Sequence, residues 1–567
     1  MARPEKIRLG EILVQQKLLT EDQLALALVE QRRSGRKLGR VFVDHAYATE
    51  DQISGALAKQ LDIPYLNLKF YNIKPEIVRL LPETQARRFR ALVLDDQSGA
   101  LLVGMADPTD LFAYDEIARL LKRKIDLAVV NESDVLEVVD RIYHSGVDIK
   151  DLARELGEDL GDSSIDFGVL ADNPALEEAP IVKLLQSVFD DATRVHASDI
   201  HIEPQENRLQ IRFRIDGVLH LQTEADIKIA ASLALRLKLM ADLNISEKRL
   251  PQDGRFAVKV KQQRIDVRIS TLPTQYGESV VMRLLNQGGT TLKLDAIGMP
   301  VAMMERFREI ITRPNGLVLV TGPTGSGKTT TLYCALSELN SLEKKLITVE
   351  DPIEYRLAGL NQVQVNDKID LTFAKVLRSA LRQDPDIVLV GEMRDQETAQ
   401  IGLRAAMTGH LVLSTLHTND AISTPLRLID MGVPRYMVGS SLQAVLAQRL
   451  VRVICESCAA PYALLPTERQ WLRMELHDAV DGHHYFHGKG CSRCNGMGYR
   501  GRTGVYEMLE MTSAVVDAAH QDDQSQFMKA AMAEMAGNTL RRHAVALVVA
   551  GRTTVAEAMR ISNHMEE

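Results

Sequence analysis

The stretch Val318-Leu-Val-Thr-Gly-Pro-Thr-Gly-Ser-Gly-Lys-Thr-Thr330 constrains the chain more than any other. Val318 to Val320 read as a short buried strand, and the apolar residues after Thr329 open a helix. Between them, Gly322, Gly325 and Gly327 make a turn that needs glycine backbone. The order strand, G-x-x-x-x-G-K-T, helix is a phosphate-binding loop in the context it requires. Gly322, Pro323, Thr324, Gly325, Ser326, Gly327, Lys328, Thr329 and Thr330 are therefore the expected contacts of ATP and Mg²⁺. Backbone N–H groups and the helix N-terminus face the phosphates, Lys328 reaches the β- and γ-phosphates, and Thr329 offers its hydroxyl to the ion. A parallel α/β sheet around this loop is the expected fold of the region.

Three further strands carry polar residues at their ends. Leu346-Ile-Thr-Val-Glu-Asp-Pro-Ile-Glu354 ends in Glu350 and Asp351, with Glu354 just beyond. Asp386-Ile-Val-Leu-Val-Gly-Glu392 ends in Glu392. Carboxylates at the C-terminal ends of such strands sit where α/β sheets bind ligands. Glu392 can hold the Mg²⁺ shell or orient the attacking water, and Glu350 is the second candidate for polarising that water. Thr408 to His417 gives a strand framed by His410 and His417, read here as γ-phosphate or conformation sensors against the alternative of structural histidines.

Composition bounds the rest. A chain of 567 residues suggests three or four domains, and 45% hydrophobic with 25% charged residues is an ordinary globular balance. A net charge of −8 and a pI near 6.0 argue against a general nucleic-acid binder. No apolar run reaches the roughly 18 residues of a membrane span, and Met1-Ala-Arg-Pro-Glu-Lys6 lacks a signal-peptide core. The expectation is a cytoplasmic protein attached to membranes only through partners. Of the five cysteines, Cys455, Cys458, Cys491 and Cys494 form two Cys-x-x-Cys pairs. In a reducing compartment such pairs indicate metal, and four thiolates suit a closed tetrahedral Zn²⁺ site with a structural role.

The N-terminal sixty residues repeat with a period of 29, since Arg8-Leu9-Gly10 recurs as Lys37-Leu38-Gly39 and Thr20 to Gln23 as Thr49 to Gln52. Leu13, Leu24, Leu28 and Gln31 map onto Phe42, Ile53, Leu57 and Gln60. Each copy reads as a short helix, a turn and a second helix capped by Thr20 or Thr49. On spacing alone this is a helical packing module. Residues 63–146 follow as mixed α/β, with strands at Ala91–Leu94, Leu101–Met105 and Ile125–Val130 and a helix at Ile117–Leu121. Residues 147–176 are acidic and rich in Gly, Ser and Asp, a tether signal. Beyond them come a helix at Ile181–Ala192, alternating strands at Asp199–Glu203 and Leu209–Arg214, and an Asp216-Gly217 hairpin turn. Arg255 and Arg268 lie in this block, either on a solvated strand face or as arginine fingers for a nucleotide. The tail from Ala514 is helical in pattern and expected to pack on the motor.

The repeat resembles the two half-sites of the MshEN domain, R-L-G-x-x-L, ten residues, L-x-x-x-L-x-x-Q. Arg8 to Gln31 fits each signature position; Lys37 to Gln60 departs from it at Lys37, Phe42 and Ile53. The resemblance implies cyclic di-GMP binding by Arg8, Leu9, Gly10, Leu13, Leu24, Leu28, Gln31, Lys37, Leu38, Gly39 and Gln60. Asp107 is the candidate for an aspartate that completes the site, or else a turn carboxylate. There, Gly10 and Gly39 would admit close backbone approach to the ligand.

The four motor elements resemble the Walker A, Asp box, Walker B and His box of the type II secretion and type IV pilus ATPase family. That family implies a multidomain α/β chain. Residues 1–146 would be the MshEN domain, 147–176 a flexible linker, and 177–290 an α/β domain preceding the motor. Residues 291–567 would be the RecA-like ATPase domain, with a tetracysteine zinc insert at 451–510 and a helical C-terminal tail. It implies Glu392, Glu350, Lys328, Arg255, Arg268 and His417 as catalytic, with the arginines closing over the nucleotide. It further implies a homohexamer that hydrolyses ATP at the inner membrane through a pilus platform protein. The near-complete half-site favours the branch that extends mannose-sensitive haemagglutinin (MSHA) pili; the alternative is the type II secretion branch driving pseudopilus assembly.

Overall fold

The computed structural model describes residues 9–34, 37–71, 73–97, 99–143, 180–260, 263–286, 293–521 and 523–562. Arg8 and the tether expected at 147–176 lie outside these residues.

The repeat folds as two helix pairs, α1 (Leu9–Gln15) with α2 (Glu21–Ser34) and α3 (Leu38–Asp44) with α4 (Glu50–Leu61). Both expected caps form. The Gln23 N–H donates to Thr20 Oγ1 at 3.2 Å while the Thr20 N–H donates to Gln23 Oε1 at 2.9 Å, and Thr49 and Gln52 repeat the exchange at 3.3 and 2.8 Å. Leu13 and Phe42, equivalent residues of the two copies, fill the same small core. The α/β half adds a sheet of β1 (Ala91–Gln97), β2 (Ala100–Met105) and β3 (Lys124–Val129), with β1 antiparallel and β3 parallel to β2. Its helix begins at Leu111 rather than Ile117, because Asp110 caps it by accepting from the Ala113 N–H at 3.0 Å. The Glu50 carboxylate of α4 accepts from the Glu132 and Ser133 N–H groups at 3.1 and 3.3 Å, tying the repeat to the start of the helix Glu132–Tyr143.

The second module is a six-stranded antiparallel sheet in the order β6-β5-β4-β9-β8-β7, with helices Pro180–Arg194 and Ala230–Met240 packed on it. Its strands are β4 (Asp199–Pro204), β5 (Arg208–Ile215), β6 (Val218–Asp226), β7 (Gln252–Val260), β8 (Gln263–Thr274) and β9 (Gly277–Asn286). Leu209, Ile211, Phe213 and Ile215 alternate into the core, as a sheet with one covered face requires.

The motor is a seven-stranded sheet in the order β12-β11-β13-β14-β10-β15-β18. These are β10 (Gly316–Thr321), β11 (Leu346–Glu350), β12 (Asn361–Gln364), β13 (Ile387–Val390), β14 (Leu411–Leu416), β15 (Leu442–Ile454) and β18 (Tyr499–Glu510). All neighbours are parallel except β15 and β18. Every residue of β10 is buried, because helices cover both faces: Val318 and Val320 pack with the helix Lys328–Leu339, Leu317 and Leu319 with the helix Gln396–Met407. The four C-terminal helices, from Ser513 to Ser562, close the latter core.

The cysteine module is an excursion between two strands of this sheet. Residues 451–454 and 499–510 belong to β15 and β18, paired through Val451↔Thr503 and Ile454↔Tyr499. The insert proper therefore spans 455–498, narrower than the expected 451–510, and contains the small ladder of β16 (Ala459–Pro461) and β17 (Phe486–Gly488). It meets the first module, where Ser457 and Arg493 both donate to the Lys69 carbonyl, the latter at 3.0 Å. Among the described residues no helix is long and apolar enough to cross a membrane.

Candidate nucleotide, metal and dinucleotide sites

The loop after β10 turns through Gly322, Gly325 and Gly327 at φ 145°, 79° and 88°, and Gly327 hands the chain to the helix at Lys328. A Cβ on Gly322 would lie 2.4 Å from the Gln448 carbonyl oxygen, so backbone crowding as well as torsion requires glycine there. Ser326 is buried with its hydroxyl unpartnered among the described residues, while Thr329 and Thr330 are exposed at the loop mouth. Lys328 Nζ donates to the Gly322 and Pro323 carbonyls at 2.6 and 3.1 Å. Burial pushes its pKa down to about 8, against the pull of Glu392.

Parallel pairing brings the other motor residues to the same edge. β14 runs beside β10 in the register Gly316↔Leu411 to Thr321↔Leu416, so His417 emerges next to the glycine loop. His410 emerges at the opposite end, where its carbonyl accepts from the Gly316 N–H at 3.1 Å and its Nδ1 meets the Ala405 carbonyl at 3.0 Å. The expected pair of framing sensors thus reduces to His417. Glu392, two residues past β13, is ion-paired with Arg394 and lies 3.4 Å from His417 Nε2. Glu350 ends β11 fully buried, and its carboxylate accepts from Tyr333, from Thr348 Oγ1 at 2.6 Å and from Gln362 at 3.2 Å. Those bonds occupy Glu350 with its own scaffold, whereas Glu392 keeps partial access to solvent.

Arg255 and Arg268 face each other across β7 and β8, and Arg268 faces Arg283 across β8 and β9. Like charges in such a row repel, an arrangement that suits a surface meeting an anion. Arg268 donates to the Ile353 carbonyl at 2.9 Å and pairs with Glu354 at 3.3 Å; Arg255 approaches Gln364 at 3.5 Å. Both arginines therefore line a cleft against the loop after β11, while the cleft at the glycine loop is lined by other residues.

Those other residues escaped the motif reading. Arg449 of β15 is buried, donating to the Asn419 carbonyl at 2.6 Å and the Gln448 carbonyl at 3.1 Å. With Asn419, Leu450, Arg560 and Ile561 it borders the cleft, of about 370 Å³, that Pro323 to Ser326 open into. Thr321 and Thr418 share a hydroxyl hydrogen bond of 2.5 Å, and the Thr418 N–H donates to Thr321 Oγ1 at 2.9 Å. That pair fixes the backbone next to His417 against the root of the glycine loop. No short motif marks these positions.

In the first module, Lys37 donates a charged hydrogen bond to Asp107, bringing together two of the residues singled out from the repeat. The bond to Asp107 raises the Lys37 pKa. Leu13 is a core residue; Leu9, Leu24 and Leu38 are half-buried around it, and Leu28 is 37% exposed. Gln31 is half-buried near the end of α2, and Gln60 sits in the last turn of α4. Gly10 and Gly39 lie against the later residues of their own half-sites. A Cβ there would lie 2.5 Å from Leu24 Cδ1 and 3.1 Å from Ile53 Cγ2, so these glycines let α1 and α3 pack closely on the helices that follow them.

The four cysteines converge. Sγ separations are 3.8 Å for Cys455–Cys491, 3.9 Å for Cys458–Cys494 and 3.7 Å for Cys491–Cys494. Zn–S bonds of about 2.3 Å in a tetrahedron set sulfurs about 3.8 Å apart, so the residues fit that ion. The Cys491 and Gly498 N–H groups each donate to Cys494 Sγ at 3.2 Å, which stabilises a thiolate.

Comparison with known proteins matches this architecture. The profile of the family described as "Type II/IV secretion system protein" covers residues 174–560, and that of the MshEN domain covers residues 61–148. The latter match takes in the α/β half of the first module and leaves most of the repeat outside. The type IV pilus assembly ATPase PilB of Myxococcus xanthus is 39% identical over 97% of this chain and 98% of its own length. The type II secretion system ATPase E of Vibrio cholerae is 42% identical over 86% of this chain and 97% of its own. The Legionella pneumophila ATPase DotB shares the fold, with a TM-score of 0.51 at 21% identity over 67% of this chain and 95% of that one. A glycine loop, a buried lysine and an acidic strand end on one edge of a RecA-like sheet, with these matches, make the chain an ATP-hydrolysing member of the type II/IV secretion system protein family.

Proposed function

We propose that this ATPase powers extension of an MSHA-type pilus under control of cyclic di-GMP, as a hexamer docked on an inner-membrane platform protein from the cytoplasmic side. The observation that carries the regulatory half is the duplicated N-terminal half-site, with Lys37 and Asp107 joined, beside an MshEN-type α/β unit. Arg8, outside the described residues, stays the candidate base-stacking group of the first copy.

For turnover, Lys328 and the loop amides bind the polyphosphate, and Thr329 would hold Mg²⁺, which would neutralise phosphate charge. Glu392, held between Arg394 and His417, orients the attacking water; the buried and fully bonded Glu350 positions the strand end and Tyr333. Arg255 and Arg268 close on the phosphates when the second module swings from the loop after β11 toward the glycine loop. Four cysteines hold a structural Zn²⁺.

A second reading, the type II secretion ATPase, draws on the higher identity of the Vibrio cholerae relative over a shorter span. Deleting the gene separates them: loss of surface pili with secretion intact supports the pilus reading, and the reverse result overturns it. For regulation, calorimetry of the full chain with cyclic di-GMP is expected to show binding that Arg8→Ala weakens while basal ATPase activity persists. Unchanged affinity in that variant removes Arg8 from the site.

A further inference from the structure

The glycine loop has neighbours of different chemistry on its two sides in the sheet. Glu392 and His417 stand at the ends of β13 and β14, on one side of β10. On the other side are Leu450 of β15 and two residues of the C-terminal helix Val555–Ser562, Arg560 and Ile561. A nucleoside triphosphate on this loop must direct its γ-phosphate toward the water-orienting carboxylate. Its nucleoside then extends past β10 toward β15 and the C-terminal helix.

That side is built to receive a flat, partly polar group. Leu450 and Ile561 supply apolar cover. Arg560 is half exposed, yet its guanidinium is fixed: it donates to the Leu450 carbonyl at 3.2 Å and pairs with Glu557 at 3.0 Å. Glu557 is itself buried and anchored by the Arg452 N–H at 3.0 Å and guanidinium at 2.8 Å. A planar cation held in one orientation can stack on a base or bond to a ribose without first losing its own freedom. We propose that the C-terminal helix Val555–Ser562 completes the ATP pocket, with Arg560 and Ile561 holding the nucleoside end of the substrate.

The proposal rests on the glycine loop holding the polyphosphate, and two ligands separate the two ideas. Inorganic tripolyphosphate engages the loop alone, whereas ATP engages the loop and the C-terminal helix. In the full-length protein, Arg560→Ala is expected to weaken MgATP binding by calorimetry, and to raise KM, about three- to tenfold. Its affinity for tripolyphosphate should stay at the parent value. Arg560→Gln keeps a donor for the Leu450 carbonyl and is expected to show the same split if the alanine variant does not fold. Unchanged ATP affinity, or an equal loss for both ligands, overturns the proposal. Lys328→Ala reports separately on the loop, since it must abolish binding of both.

Discussion

Lys328 is held at a cost by the fold alone, and that cost makes ATP binding a proton-linked event. Its ammonium rests on two neutral carbonyls, Gly322 and Pro323, and burial brings its pKa from 10.5 to about 8. A triphosphate at the same atoms supplies the negative charge the site lacks and drives the pKa back up. Wherever Lys328 is partly neutral, binding must therefore take up a proton. At pH 8 the uptake is about half a proton per site, and near pH 6.5 it is close to zero. Affinity for MgATP should be flat below pH 7 and fall about tenfold per pH unit above pH 8. Calorimetry at pH 8 in buffers of different ionisation enthalpy measures the uptake as the slope of heat against buffer enthalpy. A zero slope, or an affinity constant from pH 7 to 9, refutes the reasoning. The same displacement has a stability consequence of the opposite sign to an ion pair. Because the folded pKa lies below the unfolded one, the penalty is present below pH 8 and vanishes as pH rises toward 10.5. The fall corresponds to ~3 kcal/mol, which the ammonium's remaining contact with water reduces to about 1–2 kcal/mol. Lys328→Met should thus abolish turnover yet raise the nucleotide-free melting temperature at pH 7 by roughly 3–6 °C.

Glu557 gives the contrasting case. Burial alone would raise its pKa, but bonds from Arg452 and Arg560 outweigh that and lower it to about 2, from its ordinary 4.5. Its stabilisation is present above pH 4.5 and is lost as pH falls toward 2; Glu557→Gln should cost about 2–4 kcal/mol at pH 7 in thermal melts, with the gap to the parent closing in acid. In the cysteine module, a Cβ on Gly488 would lie 1.9 Å from the Gly498 carbonyl oxygen, a backbone atom with nowhere to go. Gly488→Ala should yield protein with little bound zinc by elemental analysis, and full zinc content in that variant would show the module tolerates a shift.

What the sequence made legible follows from how local each constraint is. The glycine loop with its strand and helix, the two Thr caps and the cysteine pairs are each written within a few residues, and each forms in the structure. His410 lies away from the site because a parallel strand has one ligand-facing end, and periodicity along β14 does not say which end of it lies beside Gly322. Gly10 and Gly39 mark close approach in the sequence, but only the structure shows that Leu24 and Ile53 are the side chains approached. The edges of the cysteine insert are not legible locally, because they are set by pairing between residues on either side of it, Ile454 with Tyr499. Arg449 and Arg560, 111 positions apart, meet at one cleft because a C-terminal helix packs over β15 beside the phosphate loop. The half of the ATP site that performs the chemistry is thus local in sequence. The half that frames it is assembled by the sheet order, and so becomes readable only once β15 is known to lie against β10.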